Sequence, residues 1–195
     1  YELCDELDIP YPRTWYFDCG ESGPAELPVQ DFPYPLIAKP SNSAQFQDAD
    51  IPRKRKIYEI DSPEELAEVW RSIRTSDYDN ELVLQDFIPG GDDAIRTLTT
   101  FSDASGEVRV VSGGVVCLQD HDPTALGNPL CIMGEREPEI IACAKRFFES
   151  AFIHENTDEY AFTAALVDGN WRVEARLSLD SLPIVMRFSQ EGYVL

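Results

Sequence analysis

The sequence predicts an α+β fold. Runs of short, strand-like segments are broken by only a few helical patterns instead of alternating with them one for one. Near the end of the chain, Asp168-Gly169 separates two alternating segments and is a strong two-residue hairpin signal, which makes that pair antiparallel. At 195 residues and 43% hydrophobic content, the chain is long enough to bury a core, as one domain or as two small lobes.

The chain begins at Tyr1 on what already reads as a helix, so it is expected to be a fragment of something longer. Strands are predicted at Thr14 to Phe17, Leu36 to Lys39, Lys56 to Ile60, Leu82 to Ile88, Ile95 to Phe101, Val108 to Leu118, Tyr160 to Val167, Trp171 to Leu177 and Ile184 to Phe188. Between them, Ser62-Pro63-Glu64-Glu65 is a capping box with Pro at the first helical position, followed at helical spacing by Leu66, Val69, Trp70 and Ile73. A second helix is predicted over Pro138 to Phe152, its apolar face made by Ile140, Ile141, Ala144, Phe147, Phe148 and Ala151. Both read as covers for a sheet. Ser41 to Arg55 and Gln119 to Gly134 read as long loops, which in a compact domain are usually functional or disordered.

Charge narrows the partners. Lys and Arg total 16 against 36 Asp and Glu, a formal charge of −20, which argues against nucleic acid and anionic membrane as partners, since both need basic surface. Five cysteines without CxxC spacing point to a reduced, cytoplasmic setting, and no segment reads as a membrane span or signal peptide. No GxxxxGKS/T, GxGxxG, HExxH or nucleophile-elbow pattern occurs, so P-loop, Rossmann, zincin and α/β-hydrolase readings have no support.

The most informative stretch is Leu82-Val83-Leu84-Gln85-Asp86-Phe87-Ile88-Pro89-Gly90-Gly91-Asp92-Asp93. An apolar strand runs into a Pro-Gly-Gly turn that ends in two carboxylates, as a hinge holding a ligand on exposed backbone would, or as a strand leaving the core through a solvated turn. Lys39 ends the apolar strand Leu36-Ile37-Ala38-Lys39, where a buried stem delivers an ammonium suited to a phosphate oxygen, or merely reaches solvent. Arg53-Lys54-Arg55-Lys56 is the one dense basic run in this acidic chain, either an anion site or a solvated charge cluster.

At the hairpin, the turn pairs Val167 with Asn170, Ala165 with Arg172, Thr163 with Glu174 and Ala161 with Arg176. Alternation then puts Arg172, Glu174 and Arg176 on one face, a phosphate-positioning site or an ordinary polar surface, with a single acid as thin support for a metal. His121 and Asn128 lie in a Pro- and Gly-shaped loop and, with Arg96, are the candidate substrate contacts, a structural loop being equally consistent.

Taken in order, Pro35-Leu36-Ile37-Ala38-Lys39-Pro40-Ser41-Asn42-Ser43, Lys56-Ile57-Tyr58, Leu84 to Gly90, His121 to Asn128 and Val173-Glu174-Ala175-Arg176 resemble the ATP-grasp superfamily, and within it bacterial carboxylate–amine ligase-like proteins. The resemblance spans nearly the whole chain. It implies two small α+β lobes with largely antiparallel sheets enclosing a nucleotide: about 14–80, then about 81–195, with the hinge at 85–93. It implies a further N-terminal domain of the same protein before Tyr1, and a homodimer is a possible assembly.

The ligands implied are ATP, Mg²⁺ and a small carboxylate that ATP phosphorylates before an amine captures the acyl phosphate. Catalysis in such enzymes is mostly positioning and charge neutralisation. By position, Lys39 and Lys56 would contact phosphates, Gln85, Asp86, Phe87 and Ile88 would present backbone to adenine, and Asp92 or Asp93 would face the ribose. Arg176 and Arg172 would be the catalytic cations, and Glu174 the metal ligand. The departures matter as much. The family's Glu-x-Asn-x-Arg falls on Arg172 to Arg176, so Arg replaces its metal-binding Glu and Glu replaces its Asn, while Ala165, or with a slip Ala164, stands where another acid belongs. An Arg there would either neutralise phosphate itself or abolish Mg-ATP chemistry, and dependence of phosphoryl transfer on its metal favours the second. The rival functions are a catalytically degenerate ATP-grasp fold used as a ligand-sensing or protein-interaction module, and an acidic α+β interaction domain.

Overall fold

The computed structural model describes residues 1–27, 31–102, 105–155, 160–167 and 170–177, with the backbone alone described from residue 151 onward. Its elements are α1 (Glu2–Glu6), β1 (Thr14–Asp18), β2 (Leu36–Pro40), α2 (Ser43–Asp48), β3 (Tyr58–Ile60), α3 (Pro63–Arg74), β4 (Glu81–Asp86), β5 (Ile95–Ser102), β6 (Val108–Gln119), β7 (Pro129–Gly134), α4 (Pro138–Glu155), β8 (Tyr160–Val167) and β9 (Asn170–Leu177), with a 3₁₀ turn at Asp92–Ala94. This is α+β, in two antiparallel sheets. The expected strand at Ile184 to Phe188 and the Asp168-Gly169 turn lie outside the described residues.

The chain forms two compact units. The first, Pro12–Phe87 with Asp120–Asn128, holds a four-stranded sheet in the order β1-β4-β2-β3. Apolar residues on one face of its strands pack beneath α2 and α3: Leu36, Ala38, Ile60, Leu82 and Leu84 join Phe46, Leu66, Trp70 and Ile73 in one buried cluster. The capping signal at Ser62 is realised, its hydroxyl accepting from the Glu65 N–H at 3.2 Å. The Glu65 carboxylate reaches one residue further back than a capping box predicts, to the Asp61 N–H at 2.9 Å.

The second unit, Tyr1–Tyr11, Ile88–Gln119 and Pro129–Leu195, holds a five-stranded sheet in the order β7-β6-β5-β8-β9. Helix α4 buries Ile140, Ala144, Phe147 and Phe148 against Leu98 and Val108, with Cys4 and Ile9 of the N-terminal segment in the same cluster. The polypeptide passes from the first unit to the second between Phe87 and Ile88.

Several boundaries and segments differ from expectation. Strand β4 stops at Asp86, not Ile88, because both neighbours begin there: Thr14 pairs with Gln85 and Leu36 with Asp86. Strand β3 begins at Tyr58 because the Lys56 N–H is taken by the Pro123 carbonyl at 2.9 Å, outside the sheet. The stretch 41–55 is not all loop. Its helix α2 is too short to show a period and is announced only by its cap, Asn42 Oδ1 accepting from the Gln45 N–H at 3.1 Å. Likewise 119–134 contains β7, exposed along its length, with Pro129 at its first position as suits an edge strand.

Candidate functional site

On β2, buried Leu36, Ala38 and Pro40 alternate with half-buried Ile37 and Lys39. The ladders pair Ile37 with Gln85, Lys39 with Val83, Gln85 with Thr14 and Val83 with Tyr16, so Lys39 and Gln85 share the sheet face opposite α2 and α3. The sheet thus brings together two of the expected nucleotide contacts. Gln85 is buried, and its amide donates to Thr14 Oγ1 at 3.0 Å. Asp86 accepts from Arg13 Nε at 2.8 Å through Oδ2, and its N–H donates to the Arg13 carbonyl at 3.1 Å. Its other oxygen, Oδ1, is buried and has no hydrogen-bond partner among the described residues. Phe87 and Ile88 lie past the last ladder pair, so the sheet does not consume their backbone groups.

Beyond this hinge, Gly90 has φ 141°, where a Cβ would stand 2.6 Å from that of Ala94. Asp92 and Asp93 part company. The Asp92 carboxylate is gripped by Gln119, from its N–H at 2.8 Å and its Nε2 at 2.9 Å, while Asp93 is exposed. Arg96 forms an ion pair with Glu135 and donates from Nη1 to the Asp93 carbonyl at 2.6 Å. Arg13, Gln119 and Glu135 went unseen in the sequence because nothing local links them to partners so distant along the chain.

Lys56 meets Asn128. Its Nζ donates to Asn128 Oδ1 at 2.5 Å, a bond that joins segment 120–128 to the rest of the first unit beside the one from Lys56 N–H to Pro123. On the same segment, His121 is exposed. Asp122 is held below the usual carboxylate range, first by the Thr124 hydroxyl and then by its backbone N–H.

The hairpin of β8 and β9 has the register read from its turn: Ala165 opposite Arg172, Thr163 opposite Glu174, Ala161 opposite Arg176. Through β5 these rows continue to Ile95 and Thr97, alternating with the row of Leu98, which packs against α4. At the positions the metal would need, the donor set is one carboxylate with an arginine two residues to either side and Ala, Thr and Ala opposite. By residue type these positions alone do not make a divalent-cation set, which wants oxygen ligands and no competing cation. Among the described residues no group of His, Cys, Asp and Glu is placed to hold a metal, and no helix is long and apolar enough to cross a membrane.

No protein-family model matches the sequence. A D-aspartate ligase of Enterococcus faecium (strain Aus0004) is 31% identical over 151 residues, 76% of this chain and 36% of the ligase. Among solved structures, D-alanine–D-alanine ligase of Bacillus anthracis complexed with ATP superposes with TM-score 0.54 at 12% identity, over 98% of this chain and 54% of that one. The L-amino acid ligase of Bacillus licheniformis superposes with TM-score 0.53 at 16% identity, over 88% of this chain and 39% of that one. The chain has the ATP-grasp fold. In sequence it is related to that D-aspartate ligase, and it spans about a third of that relative's length.

Proposed function

We propose that this chain is the ATP-binding part of a ligase that joins a carboxylate to an amine through an acyl phosphate. The observation that carries the reading is the 31% identity to a D-aspartate ligase over three-quarters of the chain. The alignment of Lys39 and Gln85 on one sheet face supports it, as does the buried, unsatisfied Asp86 Oδ1 beside the hinge, since a buried acceptor without a donor is costly unless something else supplies one. In this reading Gln85, Asp86, Phe87 and Ile88 contact adenine, Asp93 lies by the ribose, and Lys39 and Lys56 hold phosphates. Arg172 and Arg176 stand by the transferred group, with His121 in reach of the substrate.

The reaction needs two steps. A carboxylate oxygen attacks the γ-phosphorus of ATP and ADP leaves; the amine then attacks the acyl carbon, inorganic phosphate leaves and the nitrogen loses a proton. Lysine and arginine cations lower the barrier by countering charge on the phosphoryl oxygens. A non-catalytic module draws no support from the comparison, since the relative is itself a ligase.

Calorimetric titration of the full-length protein with ATP, with and without Mg²⁺, tests the proposal. Binding in both conditions is expected, because the hinge and lysines do not depend on a metal. Absence of binding in both would sink the nucleotide reading.

A further inference from the structure

We infer that Asn128 is a positioning residue that holds the Lys56 ammonium ready for the nucleotide phosphates. The inference rests on the nucleotide reading above and adds to it a residue outside the expected phosphate contacts. It starts from the shape of segment 120–128, between β6 and β7. Its ends are closed on each other, Asp120 N–H donating to the Asn128 carbonyl at 2.8 Å. Inside, Asn128 N–H donates to the Ala125 carbonyl at 3.1 Å and Ala125 N–H to the Asp122 carbonyl at 2.9 Å. The Asp122 carboxylate takes the Thr124 N–H at 2.8 Å, and Gly127 supplies the turn with φ 86°. Such a closed loop, bonded to itself with its ends together, is compact.

Asn128 is its keystone. Both its backbone groups are bonded within the loop, and its side-chain oxygen accepts from Lys56 Nζ. A lysine has a long, flexible stem, and ordering it costs rotamer entropy. A preformed acceptor meets that cost in folding, before a nucleotide arrives. The chemistry of the acceptor matters too. A carboxamide adds no charge, so it orients the ammonium without lowering its attraction for phosphate.

A double-mutant cycle read by calorimetric ATP titration of the full-length protein tests this. Asn128→Ala is expected to weaken ATP binding about threefold to tenfold, the range of one hydrogen bond. In a Lys56→Ala background the same change should have little effect, whereas in a Lys39→Ala background it should keep its full effect. A loss of equal size in all three backgrounds marks a merely structural loop residue and overturns the inference. So does Asn128→Ala binding ATP as the wild type does while Lys39→Ala weakens it, which leaves the nucleotide reading standing. Wild-type protein that binds no ATP overturns both. If Asn128→Ala does not fold, Asn128→Asp keeps the shape and the acceptor but adds charge, and it too should bind ATP more weakly; wild-type affinity there overturns the inference.

Discussion

Lys39 illustrates how much of a residue's placement follows from its position in an alternating strand. Its neighbours Ala38 and Pro40 are buried in the core, so Lys39 must emerge on the other face, level with Val83 and one pair along from Gln85. A charge-assisted hydrogen bond to phosphate contributes about 1.5–3 kcal/mol, so Lys39→Ala should weaken ATP binding roughly tenfold to a hundredfold. Because the side chain lies opposite the packed face, the melting temperature of the empty protein should hardly move. A large fall in that temperature would mark Lys39 as structural. The strand positions of Lys39 and Gln85 were legible in the sequence because each sits in a regular strand, where parity assigns a face. The contacts of Asp92 and Arg96 were not, because their partners Gln119 and Glu135 come from other elements, and no local pattern announces them.

Among the elements, the legible ones carry their own punctuation. Helix α3 is announced by Ser62, Pro63 and Glu65, and the β8–β9 register follows from a two-residue turn, with every expected pair present. The hinge is less local. Its Pro-Gly-Gly turn is plain in the sequence, yet β4 ends at Asp86 because β1 and β2 supply no partner beyond it. Gly90 is the residue that lets the chain continue into the 3₁₀ turn, at φ 141° and close to Ala94. Gly90→Ala should therefore cost on the order of 1–3 kcal/mol through backbone strain and crowding. Thermal unfolding checks this, and an unchanged melting temperature would show that the turn relaxes freely.

At the scale of the whole molecule, stability is linked to pH through buried thiols. Cys19 lies in the core of the first unit, and burial pushes its thiol up from 9.0 to about 11. Below pH 9 both folded and unfolded forms keep the proton. Between 9 and 11 the unfolded form releases it while the folded form does not, so stability falls as pH rises through that window, by about 2–3 kcal/mol at most. Burial also raises Tyr58 and Tyr78 in the same unit, with the same sign at higher pH. Denaturant unfolding from about pH 8 to 11 should show a shallower loss for Cys19→Ala than for wild type, and equal slopes would contradict the linkage. The division of information in this chain follows the range of the forces involved. Composition, hydrophobic period, caps and turn residues act over a few positions, and they were enough to specify the α+β class, most strands, α3 and the β8–β9 pairing. Contacts between distant segments set the rest: where β4 ends, the α2 and β7 elements inside apparent loops, the grip of Gln119 on Asp92 and the meeting of Lys56 with Asn128. Each of these depends on which surfaces come together once the cores form, a choice made by long-range packing and by the demand of every buried polar group for a partner.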